Sequence, residues 1–140
     1  MRIAVAVVAA LAAAGWTAQD AAACSCVQWG NPRTELARAD GAFVGVFLRR
    51  RPLRPGPLRS SADPYVYVFR VERRLKGRLG RDVEVISPES GASCGLEVRP
   101  RQRVGLLLRR ENRRWHSSLC QQRSARFFRG IPSRMLASSC

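Results

Sequence analysis

The placement of its cysteines constrains this chain most tightly. Five cysteines, at positions 24, 26, 94, 120 and 140, fall within 140 residues. In a small exported chain such a set reads as a disulfide framework rather than as metal ligands or redox thiols. Four can pair and one is left over, and residue reading alone leaves several connectivities open. The start of the chain supports export. Arg2 is the only charge ahead of an apolar run from Ile3 to Ala14, polar Thr17, Gln19 and Asp20 follow, and Ala21-Ala22-Ala23 presents small residues where signal peptidase reads them. A signal peptide over 1–23 is expected, cut after Ala23, with a cut after Ala18 as the second choice. A membrane anchor is disfavoured, because the run falls short of the roughly 20 apolar residues that span a bilayer. No later segment is long and apolar enough to span either, so the expected product is secreted and extracellular.

Losing 1–23 removes Arg2 and Asp20, one charge of each sign, so the formal net charge of +15 is unchanged. What remains fits one small domain whose hydrophobic core alone is marginal, which is where staples matter. Nearly all the positive charge is arginine, Lys76 being the only lysine, and arginines occur in every segment. A nucleic-acid binder usually gathers charge on one face and interleaves exposed aromatics. The even spread here reads more simply as a solvated arginine-rich surface, with binding to a polyanion (glycan, envelope polymer or nucleic acid) as a further reading.

Along the chain, Asn31-Pro32 starts a short helix, Asn31 capping and Pro32 in the first turn, expected to run to about Ala39 and to end at Asp40-Gly41. Ala42 to Leu48 is β-branched and aromatic and reads as a buried strand. Arg49 to Pro64, with Pro52, Pro55, Gly56, Pro57 and Pro64, reads as a stiff basic loop. Tyr65 to Glu72 is the strongest strand pattern, and Asp82 to Ile86 alternates as a third strand after a turn bracketed by Gly77 and Gly80. Ser87 to Gly95 is a loop carrying Cys94. Val104 to Leu108 makes a fourth strand, Glu111-Asn112 a hairpin tip, and Trp115 to Leu119 a fifth strand ending at Cys120. Ser124 to Leu136 has helical character interrupted by Gly130-Ile131-Pro132. Five short strands with long loops predict an all-β fold, a small barrel with short flanking helices. The domain division is 1–23 signal peptide, 24–121 barrel and 122–140 basic tail or helix.

Cys24-Ser25-Cys26 behind a processing site, the strand from Tyr65 continuing through Arg73, Arg74, Leu75 and Lys76 to Gly77, Ser93-Cys94-Gly95 and Leu119-Cys120 together resemble the netrin-like family. The nearest likeness is to the N-terminal inhibitory domain of the tissue inhibitors of metalloproteinases. It covers about Cys24 to Gln121. It implies a five-stranded OB-like closed barrel, with disulfides Cys24–Cys94 and Cys26–Cys120 that clamp the N-terminus onto it. It also implies an inhibitory ridge of Cys24, Ser25, Cys26, Val27, Ala92, Ser93 and Cys94. The amino nitrogen and carbonyl oxygen of Cys24 would chelate the catalytic zinc of a target metalloproteinase, with Ser25 facing its first primed-side pocket. The chain departs from the family in lacking a third disulfide and a second cysteine-rich domain, and in the segment from Val27 to Asn31. Cys140 has no evident partner, and either stays free or bridges two molecules.

By this reading the protein is not an enzyme and needs no cofactor of its own. No nucleophile motif, phosphate loop or paired-carboxylate signature occurs, and His116 is the only histidine, which leaves triads and multi-histidine metal sites without support. Trp29, Trp115, Phe127 and Phe128 read as packing residues. Two alternatives stand beside inhibition. One is a non-catalytic netrin-like module docking acidic or polyanionic partners. The other treats Ala21 to Cys24 as a lipoprotein processing site, for which Ala21 is a poor match and which would strand Cys94 without a partner.

Overall fold

The computed structural model describes residues 24–27 and 30–133. The expected signal peptide, Trp29 and Cys140 lie outside them. A helix α1 (Pro32–Arg38) is followed by strands β1 (Gly41–Pro52), β2 (Pro64–Lys76), β3 (Asp82–Pro88), β4 (Arg103–Glu111), β5 (Arg114–His116) and β6 (Gln122–Ser124). Three short 3-10 turns, Gly91–Ser93, Leu119–Gln121 and Ala125–Phe128, complete the secondary structure. As the sequence suggests, the Asn31 side chain caps α1, its Oδ1 accepting from the Arg33 amide at 2.9 Å.

The sheet closes on itself. Its order β1-β2-β3-β5-β4 is completed by an antiparallel β1–β4 ladder, so five strands form a ring. One of those contacts, β3 with β5, is parallel, Val85 lying opposite Trp115 and Ile86 opposite His116. This is an OB-like closed barrel, and closure leaves its ring strands with no open edge. β1 serves both neighbours. It pairs with β2 from Ala42 to Pro52 and with β4 from Gly41 to Val46. Register shifts after Ala42, Val44 and Phe47 let so long a strand coil around the barrel.

Two cores explain why several strands are apolar on both faces. Inside the barrel, Phe43, Phe47, Tyr65, Tyr67 and Phe69 pack with Val83, Val85, Val104, Leu106 and Leu108. Outside it, Ala42, Val44, Leu75 and Leu107 point the other way, against Ala39 and Phe128, with Leu36 and Ile131 at the margin. α1 and the segment after β6 thus form a second layer on the wall made by β1 and β4. Fully burying a side chain of this size contributes about 1.5–3 kcal/mol.

Several boundaries differ from those expected. The stretch assigned to the loop, Arg49 to Pro52, continues β1, with Pro52 opposite Tyr65 at the end of the ladder, where a missing N–H is tolerated. Ser87 and Pro88 likewise extend β3. The hairpin tip is Asn112-Arg113, both at positive φ (46° and 64°), one residue later than expected. β5 stops at His116 rather than reaching Leu119, because Ser117 turns inward and its hydroxyl donates to the Leu107 carbonyl at 2.9 Å.

The region set apart as a tail or helix, 122–140, is no separate tail over its described part, nor an α-helix. Gln122–Ser124 pairs with β4, and Phe128 is fully buried. A Cβ on Gly105 would lie 2.5 Å from the Phe128 ring, so the bare backbone there is the seat that ring occupies. Among the described residues no helix is long and apolar enough to cross a membrane.

Candidate functional site

Cys24–Val27 has no regular secondary structure, and its anchorage is covalent. Cys24 is bonded to Cys94 and Cys26 to Cys120, with Cα separations of 5.6 and 5.1 Å, inside the range disulfides prefer. Ser25 and Val27, which alternate with the cysteines, are exposed, Val27 at 73%. Alternation of this kind follows from an extended chain in which successive side chains point to opposite sides. The inward pair is tied down and the outward pair faces solvent.

Cys94 sits at the end of the Gly91–Ser93 turn with φ 61° and ψ 20°, a left-handed conformation rare for a side chain with a Cβ. Its neighbours hold it there. Its amide donates to the Gly91 carbonyl at 3.0 Å and its carbonyl accepts from the Leu119 amide at 2.9 Å. The Cys24 sulfur lies 3.4 Å from the Gly91 carbonyl oxygen. As a disulfide sulfur it has no proton to donate, so this is contact rather than a hydrogen bond. Ala92 is exposed, while Ser93 is half-buried with its hydroxyl 3.0 Å from that of Ser61 in the β1–β2 loop. Glu89 steadies the same loop, its amide donating to the Ser61 carbonyl and its carboxylate accepting from the Tyr65 hydroxyl at 3.0 Å.

The Cys24–Cys94 bond joins the arm from Cys24 to Val27 to the turn that carries Ala92, Ser93 and Cys94, while Val27 lies beside Cys120, the partner of Cys26. A broad groove of about 1190 Å³ opens beside Ser90 and Gly91, floored by Phe47, Leu48 and Val98. A smaller one of about 530 Å³ lies beside Val27 and Cys120.

The sequence reading missed the support under the second disulfide. Glu35, buried on α1, is clamped by Arg123 through two hydrogen bonds of 2.8 and 2.9 Å. The same guanidinium donates to the carbonyls of Cys120 and Gln122 at 2.9 and 2.8 Å. A planar fork with five donors can satisfy all of these at once, which lysine cannot. Through Arg123 the helix, β6 and the Cys120 anchor become one unit. Nothing in the sequence marked the pair, since Glu35 reads as one more charge on a short helix and Arg123 lies 88 residues away.

Electrostatics elsewhere is mostly exposed pairing. Arg70 holds Asp82 at 2.7 Å and lowers its carboxyl pKa through that hydrogen bond, and Arg51 holds Glu84 at 3.1 Å. Burial raises the Tyr67 phenol above its ordinary value, partly offset by Arg50, whose guanidinium donates to the phenolic oxygen. His116 is half-buried, with Nδ1 3.8 Å from Glu111. Among the described residues no cluster of three or more His, Cys, Asp or Glu is arranged to hold a metal ion.

The fold and this edge define a class, a small OB-like barrel with a disulfide-pinned N-terminal arm. Compared with models of known protein families and with curated proteins, the chain matches none.

Proposed function

We propose that the chain, exported and cut before Cys24, inhibits zinc metalloproteinases through its N-terminal residue, in the manner of the tissue inhibitors that its cysteine and strand pattern resembles. One observation carries the reading. Cys24 and Cys26 are each bonded to a different loop of the barrel while Ser25 between them stays exposed.

A catalytic zinc keeps one position for water and accepts a fifth ligand. The α-amino nitrogen and carbonyl oxygen of one residue are spaced to close a five-membered chelate, so Cys24 can displace that water with two donors. The disulfide to Cys94 draws its side chain back, leaving the backbone atoms as the leading edge. Ser25 then lies where a substrate side chain would enter, with Val27 further along and Ala92 and Ser93 as the second rim. Because the arm is fixed before binding, little conformational entropy is lost on docking. The role is non-catalytic, with the metal supplied by the target.

The amine must be neutral to bind zinc, and an α-amino group titrates at about 7.7–8.0. Affinity should be full above that range and fall about tenfold per pH unit below it. The test compares protein beginning at Cys24 with the same protein carrying one added N-terminal alanine, assayed against a panel of zinc peptidases. The added residue converts the amine to an amide, and inhibition should vanish while the barrel is unchanged. If the Cys24-first form leaves the whole panel active, or if both forms inhibit equally, the proposal fails.

A further inference from the structure

We infer that the outer face of β2 and β3, between the β1–β2 loop and the Asn112-Arg113 hairpin, is a second docking surface. Its occupant is a linear polysaccharide bearing sulfate or carboxylate groups. The groove there measures about 670 Å³, with Val66 and Ile86 on its floor and Arg51, Arg54, Arg113 and Arg114 around it. Its two acids are neutralised, Glu84 by Arg51 and Asp82 by Arg70. Arg54, Arg113 and Arg114 are exposed and have no carboxylate partner among the described residues. The larger groove is also lined by four arginines, Arg49, Arg50, Arg99 and Arg101, and differs in that its acid Glu97 has no cation partner among the described residues.

A second observation is conformational. Arg113 occupies the turn with φ 64°, where glycine is the residue of lowest cost. A bulky cation at such a position points to a role for its side chain beyond the turn, and although Arg101 beside the larger groove shares the conformation, only here are the neighbouring acids paired. Guanidinium forks suit sulfate and carboxylate groups in pairs.

The choice of glycan over nucleic acid rests on Trp115, the only aromatic residue lining the groove. Arg110 covers its ring with the guanidinium 4.4 Å from the centroid. Bases therefore find no free stacking platform, and stacking is what single-strand binders of this barrel type rely on. The surface is independent of the Cys24 amine.

The experiment titrates disulfide-intact protein with a size-defined heparin fragment across a salt series, with a single-stranded oligonucleotide of equal charge as the second arm. Arg54→Ser/Arg113→Ser/Arg114→Ser should lose about tenfold in heparin affinity at low salt, the sum expected of three exposed ion contacts. The charge-matched Arg33→Ser/Arg126→Ser/Arg129→Ser, changed on α1 and the C-terminal segment, should lose less than about twofold. Arg113→Gly should weaken binding yet raise Tm by a few degrees, roughly what relief of one left-handed residue gives. Equal losses in the two triple variants, or oligonucleotide binding as tight as heparin, would overturn the inference. So would Arg113→Gly binding heparin at full strength.

Discussion

Phe69 and Ser25 stand in two regions of the molecule that are held by different means. Phe69 is fully buried, its ring 5.5–5.6 Å from those of Phe43 and Phe47, in a strand hydrogen-bonded on both sides. Ser25 is exposed, in a segment with no strand pairing, flanked by two cysteines bonded elsewhere. Packing energy is spread over many contacts and degrades gradually, whereas a tether acts through one bond. Under the proposed function the edge presents backbone atoms to a partner and cannot bury them, which leaves covalent anchorage as the means of holding it still.

Removing the tether is the strongest way to break that contrast. Cys26→Ser/Cys120→Ser opens a loop spanning 94 residues, for which the chain-entropy relation gives about 4–5 kcal/mol. Chemical denaturation should show a loss of that order while the folded barrel keeps its circular dichroism spectrum. A loss well above that range would mean that the arm also packs into the core. Phe128→Ala comes next. It empties the seat over Gly105 in the outer core and should cost about 3–4 kcal/mol by the same measurement, with the disulfides intact. Val27→Ala should be the smallest. At 73% exposure its removal should leave stability within about 0.5 kcal/mol, and a larger loss would show that Val27 packs where the contrast says it does not.

Much of the barrel was legible because its strands carry their own pattern. The β-branched and aromatic runs at Ala42 to Leu48, Tyr65 to Glu72 and Val104 to Leu108 each lie within observed strands, and Asn31 caps the helix it was expected to cap. What was hidden depends on partners distant in sequence. Gln122–Ser124 is three polar residues with no strand character of its own, made a strand by the backbone of β4 beside it. Arg49 to Pro52 looks like loop because its side chains face solvent, yet its backbone completes the ladder with β2. The same limit applied at the candidate edge. Its cysteines announce themselves, but Arg123 reads as one more arginine until Glu35 is found buried against it.

The two disulfides also bear on the order of synthesis. Cys24 and Cys26 leave the ribosome first, and their partners follow 70 and 94 residues later. Cys94 and Cys120 are brought into position by loops that the sheet itself shapes, the Cys94 carbonyl being held by the Leu119 amide. The thiols at the head of the chain must therefore wait, reduced or reversibly mispaired, until nearly the whole barrel has been made. Correct oxidation then records that the fold around it was reached first, and wherever these bonds form, exchange that resolves mispaired thiols counts for more than oxidising strength.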